Sequence, residues 1–537
     1  FFFICYIHNM YQPSQTMPLN SYQIINPAEN QTDFKAGQII RFMLPRSVGF
    51  WDPHTSRLQL EVSAKNSVGQ PPNYKMCFAQ ECGAASIIDM IRVSQNGVIL
   101  SETTEYSTLS NIFVNYSDSL SIQQRNSTQN GARGYISDPL KLQNQAQTTE
   151  SAAVMGELLN STTVAGLIDT TQKKFQLELR GVGLFELMSV VPQIALGDVL
   201  VEIRLVQNNV QGLKVHPATS YPHAATGIGN ASVTAVLTPP FVGFTNLADS
   251  PFAVGMNITP VAADGSAPTT AVPITGLAQD SGTGVITITH QANGGAIGAQ
   301  PRFVVSTGVD GQAAVDPTIE FVVNRASMVL QVIRPPVQYI ESIAKKVQEG
   351  LMLDLNTYTT YRNTVQSGIR NQTLEIPSFV SRARGILTVP RFQAGTAAGL
   401  AVWTFNNATD WDIQGQYRQL QNYRTQVGEV YYPNQPVQLD QMVGTQKTHF
   451  SAQHIVELEK CLRACNIPLR NLKKVKQNFV IPRCLAKYGA TVNLDKGLRV
   501  YLEYDGVANP NVNLDAVSYV NHVNRVIITP AGVEVLS

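Results

Sequence analysis

At 537 residues and 58.6 kDa the chain exceeds what one compact core serves, so two or more domains are expected. Hydrophobic residues make up 44%, which excludes wholesale disorder, while charged residues are only 14% and Gln, Asn, Ser and Thr take their place. A formal net charge of +1 excludes wrapping of nucleic acid as the main activity, because phosphate neutralisation demands a strong basic excess.

The chain opens on an apolar run, Phe1 to Ile7, too short for a bilayer and without the basic flank of a signal peptide. It reads as an arm, 1–34, ordered against a partner surface. Short runs of period-two alternation then dominate, the mark of half-buried strands. Leu58, Leu60 and Val62 alternate with Gln59, Glu61 and Ser63. Ile88 to Val93 and Val98 to Leu100 flank Asn96-Gly97, a strong hairpin signal because both turn positions tolerate positive φ. A helix is expected from about Glu102 to Tyr116, with Tyr106, Leu109 and Phe113 as its apolar stripe. Phe175, Leu177 and Leu179 alternate again, as do Val199, Val201, Ile203 and Leu205. Further helices are expected over Val337 to Gln348 and Ser451 to Cys465. The fold class is all-β with helices inserted at loops.

An internal echo organises the chain. "GDVLVEIRLVQ" from Gly197 and "TIEFVVNRASMVLQVIRPP" from Thr318 match "KGLRVYLEYDG" from Lys496 and "AVSYVNHVNRVIITPAG" from Ala516. Asn324-Arg325 and Asn524-Arg525 occupy corresponding spots. Two copies of one β-sandwich are implied, the first interrupted by a Gly/Ala/Thr-rich insertion at 208–317 that reads as a small β subdomain, an outward tower.

No motif carries catalysis: P-loop, G-x-S-x-G, H-E-x-x-H and EF-hand patterns are all missing. Gly181-Val-Gly183 lacks the third glycine of a dinucleotide site and reads as a turn. His449, His454 and Glu457 come closest to a metal-like group, but a five-residue step sets the two histidines on different helix faces. His54, beside Trp51 and Pro53, reads as packing. Glu102 and Glu105 read as surface helix carboxylates, not the placed pair a glycosidase needs. Cys5, Cys77, Cys82, Cys461, Cys465 and Cys484 form no disulfide framework and read as reduced, partly buried thiols, although Cys461 and Cys465 could share a metal face. Arg470, Lys473, Lys474, Lys476, Arg483 and Lys487 form a basic group that reads as a solvated face or a contact for an acidic partner. Sequons at Asn30, Asn126, Asn230, Asn257, Asn371 and Asn407 leave glycosylation undecided. No catalytic, cofactor or metal residue is expected.

Several segments together resemble a known lineage. "MPLNSYQIINPAENQTDFKAGQIIRFMLPRS" leads into "ASIIDMIRVSQNGVILSETTEYSTLSNIFVNY", a strand, hairpin and helix. "LMLDLNTYTTYRNTV" and "LEIPSFVSRARGILTVPRF" look like the entry to a second barrel. The combination resembles the double jelly-roll major capsid proteins of polinton-like viruses, virophages and adintoviruses. The long insertion departs from that pattern. The resemblance implies two consecutive eight-stranded jelly rolls, 35–336 and 351–537, joined by a linker helix at 337–350. It implies a non-enzymatic shell protein forming homotrimers of pseudo-hexagonal outline that tile an icosahedral DNA-virus capsid. Implied partners are neighbouring capsomers, penton and minor capsid proteins, and an inner-face contact with genome or membrane; no cofactor or small-molecule substrate is implied. The rival readings are a secreted or virion-attached β-sandwich adhesin and a carbohydrate-active enzyme.

Overall fold

The computed structural model describes residues 21–29, 31–66, 76–79, 82–119, 129, 155–158, 161–162, 168–169, 173–207, 213–215, 220–222, 234–237, 247, 254, 257–261, 272–292, 302–306, 319–393, 413, 415–417, 420–443, 446–450, 452–470, 478–486, 490–494, 496–504 and 513–536. The apolar run Phe1 to Ile7 lies outside them.

Sixteen strands build two sandwiches. The first uses β1 (Ser21–Ile25), β2 (Ile39–Leu44), β3 (Phe50–Asn66), β4 (Ile88–Gln95), β5 (Val98–Thr104), β6 (Lys173–Leu177), β7 (Val199–Leu205) and β8 (Ile319–Ile333). The second uses β9 (Leu351–Val365), β10 (Asn371–Ile376), β11 (Ala383–Phe392), β12 (Leu420–Val427), β13 (Val430–Gln438), β14 (Ile481–Cys484), β15 (Leu498–Tyr504) and β16 (Leu514–Thr529). The first pairs as β1-β8-β3-β6 facing β2-β7-β4-β5. The second pairs as β9-β16-β11-β14 facing β10-β15-β12-β13. Adding eight to every label of the first sandwich reproduces the second, and every neighbouring pair is antiparallel. Val191–Pro192 adds a short fifth strand beside β3 and Gly532–Leu536 one beside β16. Both sandwiches share one eight-strand jelly-roll order, and the chain is all-β with few helices.

Alternation explains the elements. β7 buries Val199, Val201, Ile203 and Leu205 and leaves Glu202 and Arg204 half-buried, with Glu202 bonded to Arg41 and Arg204 to Asp89 on neighbouring strands. Asn96 and Gly97 take φ of 48° and 84°, closing a two-residue hairpin between β4 and β5. In the first core Trp51 donates to Gln193 at 3.1 Å and packs on Phe185, while Gln193 donates to the Leu44 carbonyl. The one polar side-chain atom of Trp51 is thereby satisfied, as burial requires.

Among the described residues three helices run for three or more turns: α1 (Tyr106–Ser117), α2 (Val337–Glu349) and α3 (Ala452–Ala464). α1 and α3 each fall between the fifth and sixth strands of their sandwich, and α2 runs between the two sandwiches. The expected start of α1 at Glu102 is corrected: Glu102 to Thr104 continue β5, and Glu105, at φ 54°, turns the chain into the helix. Ser21–Ile25, expected within an arm, is the first strand of the first sheet.

The echoed strands are the last two of each sandwich. Within the insertion, six strands form one antiparallel sheet in the order Ser220–Pro222, Arg302–Ser306, Asn257–Val261, Val272–Gln279, Ile286–His290, Thr234–Leu237.

A candidate assembly seam

The two sandwiches meet along a buried seam that sequence reading did not find. From the first sandwich come β5, α1 and the turn at residues 181–186; from the second come β9, β11, β16 and α3. α1 is buried from Tyr106 through Tyr116, on every face and not on one stripe. Leu109, Ile112, Phe113 and Tyr116 pack with Tyr358, Leu387, Val389, Val517 and Tyr519 of the second sandwich and with Leu458 and Leu462 of α3. Phe113 meets Tyr358 edge-on at 6.0 Å. The far end of the β9–β16 ribbon (Leu351, Leu353, Leu355, Val526, Ile528) belongs to the first sandwich's core. The halves share one apolar interior.

Several polar groups pair across the seam. Arg391 of β11 donates to Glu105 at 2.8 Å and to the Thr108 hydroxyl at 2.7 Å, with only 4% of its side chain exposed. Arg362 also pairs with Glu105, at 3.5 Å, and Tyr519 donates to the Glu105 carbonyl. Asn111 donates to Asn478 at 2.7 Å, and Tyr116 to the Asn478 carbonyl. Asn356 of β9 donates to Glu186, whose other oxygen accepts from the Gly181 amide. Burial pushes the Glu186 carboxyl above the usual range. β5 is the open edge of its sheet; Asn524 and Thr360 donate to its free carbonyls at Leu100 and Thr104, at 3.0 and 3.1 Å. An edge capped in this way cannot pair with a stray strand.

The candidate residues fall as follows. Gly181 and Gly183 form a turn as expected, Gly181 at φ 73°, where a Cβ would come within 2.9 Å of Phe113. Glu102 is not a helix residue but a strand residue paired with Arg92, and Glu105 is not a surface carboxylate but the seam's ion-pair partner. His454 stacks on Phe479 and meets the Tyr423 hydroxyl, whereas Glu457 pairs with Lys460 and, at 3.9 Å, Arg483, so the two do not converge. The His449 side chain lies outside the described residues, and among those described no group of three or more His, Cys, Asp or Glu is placed to hold a metal. His54 lies in β3, its amide donating to Asp52. Cys82, Cys461 and Cys465 are buried free thiols and Cys484 is a half-buried one. Of the basic group, Arg483 lies over the Tyr432 ring and beside Glu457, and the Arg470 amide donates to Tyr116; Lys473, Lys474, Lys476 and Lys487 lie outside the described residues. The sequons at Asn30, Asn126, Asn230 and Asn407 also lie outside them.

Burial also opposes protonation of two histidines in the folded chain. His454 is held down to about 3 and His522, bonded to Thr359, to about 4, chiefly by desolvation. An unfolded imidazole titrates near about 6.5, so below that pH the unfolded chain takes up protons that the folded chain refuses. The histidine contribution to stability is therefore lost as pH falls from about 6.5 towards 4. Asp89 and Glu186, both raised by burial, act in the opposite sense. A variant isolates the histidine contribution: His522→Gln should lose less stability than wild type between pH 7 and pH 5 in denaturant titrations, and equal losses would contradict the assignment.

No family model and no curated protein sequence matches the chain. Solved structures align with nearly the whole chain. One is VP54 of PBCV-1 fitted into a reconstruction of the virophage Sputnik, at 10% identity and TM-score 0.46, covering 98% of this chain and 99% of that one. The Faustovirus major capsid protein aligns at 10% identity and TM-score 0.45 over 97% of this chain and 92% of its own. The mavirus major capsid protein aligns at 10% identity and TM-score 0.41 over 99% and 94%. On its own strand order the chain is a double jelly roll, similar in fold to these viral proteins.

Proposed function

We propose that this chain is the major capsid protein of an icosahedral DNA virus, a structural and not an enzymatic component of the virion. Three copies form a capsomer of pseudo-hexagonal outline, and capsomers tile the shell. The observation that carries this reading is the duplicated jelly roll joined by a buried, head-to-tail seam. Two like units in one chain, contacting through unlike surfaces, form part of a ring in this reading, since heterologous contacts whose rotation closes give rings and not filaments. Three such chains supply six units. In this reading residues 208–317 project outward as a tower, and the N-terminal arm faces inward towards genome or membrane. Penton and minor capsid proteins complete the shell.

An adhesin needs no second sandwich with the same strand order and no internal seam, so that reading is not favoured. Negative-stain electron microscopy of the purified chain tests the proposal. Hexagonal outlines enclosing six lobes are expected; particles of two lobes only would overturn it.

A further inference from the structure

The sheets β2-β7-β4-β5 and β10-β15-β12-β13 correspond strand for strand, but their outer faces carry different chemistry. On the first, Arg41, Glu202, Arg92 and Glu102 stand opposite one another across four strands. Arg41 meets Glu202 at 2.9 Å and Glu29 at 3.1 Å, and Arg92 meets Glu202 at 3.5 Å and pairs with Glu102. Each arginine has two carboxylates, so the ladder neutralises itself.

On the second, Thr373, Tyr501 and Arg424 hold the same register. Tyr501 is the fourth residue of β15 as Glu202 is of β7, and Arg424 is the fifth of β12 as Arg92 is of β4. The arginine is kept and its carboxylates are not. Arg424 lies 3.9 Å over the centre of the Tyr431 ring and 5.6 Å from that of Tyr501, and the two rings are 5.8 Å apart. The Tyr501 hydroxyl donates to Gln426 at 2.6 Å, which fixes its ring. The two carboxylates that these four strands carry are already engaged. Glu375 pairs with Arg499 at 3.2 Å, and Glu503 with Arg370 at 2.7 Å and with the Asn422 amide at 2.8 Å. Among the described residues Arg424 has no carboxylate partner. It is half-buried, as are Tyr431 and Tyr501.

A guanidinium lying over an aromatic ring keeps its planar fork of donors for a carboxylate and loses less freedom on binding one. We propose that this cluster binds a carboxylated sugar, the acidic residue at the end of a glycan. The carboxylate takes the Arg424 fork, the C–H faces of the sugar ring lie on Tyr431 and Tyr501, and Gln426 and Thr373 serve its hydroxyls. A sugar fits better than an acidic protein segment because the cluster is made of aromatic rings, an amide and a hydroxyl, with no aliphatic side chain to form the apolar centre of a protein interface. Binding belongs to the second sandwich alone and does not depend on the capsomer reading.

Saturation-transfer NMR and calorimetry on the purified full-length chain test it, with sialyllactose and glucuronic acid as probes. Both should bind, and lactose, which lacks the carboxylate, should not. Arg424→Gln and Tyr431→Ala should each weaken binding about tenfold or more, the loss expected for a charged hydrogen-bonded contact. Arg424→Lys keeps the charge but not the fork and should fall between, while Tyr431→Phe keeps the ring and should bind as wild type does. Arg92→Gln, at the equivalent place in the first sandwich, should leave binding unchanged. Failure of both acidic sugars to bind, equal binding of lactose, or undiminished binding by Arg424→Gln would overturn the proposal. A loss in Arg92→Gln equal to that in Arg424→Gln would overturn it as a general effect of charge. Capture of a polyglutamate peptide in place of the sugars would overturn it in favour of an acidic protein partner.

Discussion

Arg391→Met should lower the unfolding free energy by about 3–5 kcal/mol, the cost of removing one partner from a buried ion pair. The guanidinium is almost wholly buried and holds Glu105 and Thr108 across the seam. Met keeps much of the side-chain volume but leaves the Glu105 carboxylate in a low-dielectric setting. Its remaining cationic partner, Arg362, stands 3.5 Å away with 54% of its side chain exposed, and its charge is therefore screened by solvent. Glu105→Gln should cost a similar amount for the mirrored reason. The double variant should cost clearly less than the sum of the two, since each change already breaks the pair. Urea denaturation followed by tryptophan fluorescence checks this. A loss below about 1 kcal/mol in Arg391→Met would show that the pair is not a buried one.

Phe113→Ala should be comparably damaging, at about 3–5 kcal/mol, through packing instead of charge. Phe113 sits between the sandwiches, edge-on to Tyr358, with Gly181 beneath its ring. Truncation leaves a void in a place neither sandwich can collapse into, because α1 is gripped on all sides. Hydrogen exchange should show the effect locally: amides of Tyr106–Ser117 should lose protection while β10 and β15, remote in the second sandwich, retain theirs. Unchanged protection in α1 would contradict its role as the bolt between halves.

Much of the fold was legible in the residues. β7 and the β4–β5 hairpin follow from period-two alternation and from Asn96-Gly97, since local chemistry alone specifies them. The seam was not legible. Arg391 and Glu105 stand 286 residues apart, and nothing in the neighbourhood of either marks the other. Glu102 to Thr104 fit a helix stripe and a strand alternation equally well. Pairing with β4 decides for the strand, and the left-handed Glu105 fixes the boundary. The Tyr106, Leu109 and Phe113 stripe implied one apolar face, yet α1 also buries Ser107, Thr108, Asn111 and Asn115, polar residues whose burial depends on partners on both sides. The Asn-Arg echo was a true sign of duplication but not of equal roles. Asn324 serves its own sandwich, whereas Asn524 caps an edge of the other.

In the proposed capsomer, the two like jelly rolls of one chain are one third of a closed ring. Native mass spectrometry of the purified, full-length chain tests it most directly. A dominant species at three times 58.6 kDa is the predicted result. A single 58.6 kDa species at every concentration would contradict it.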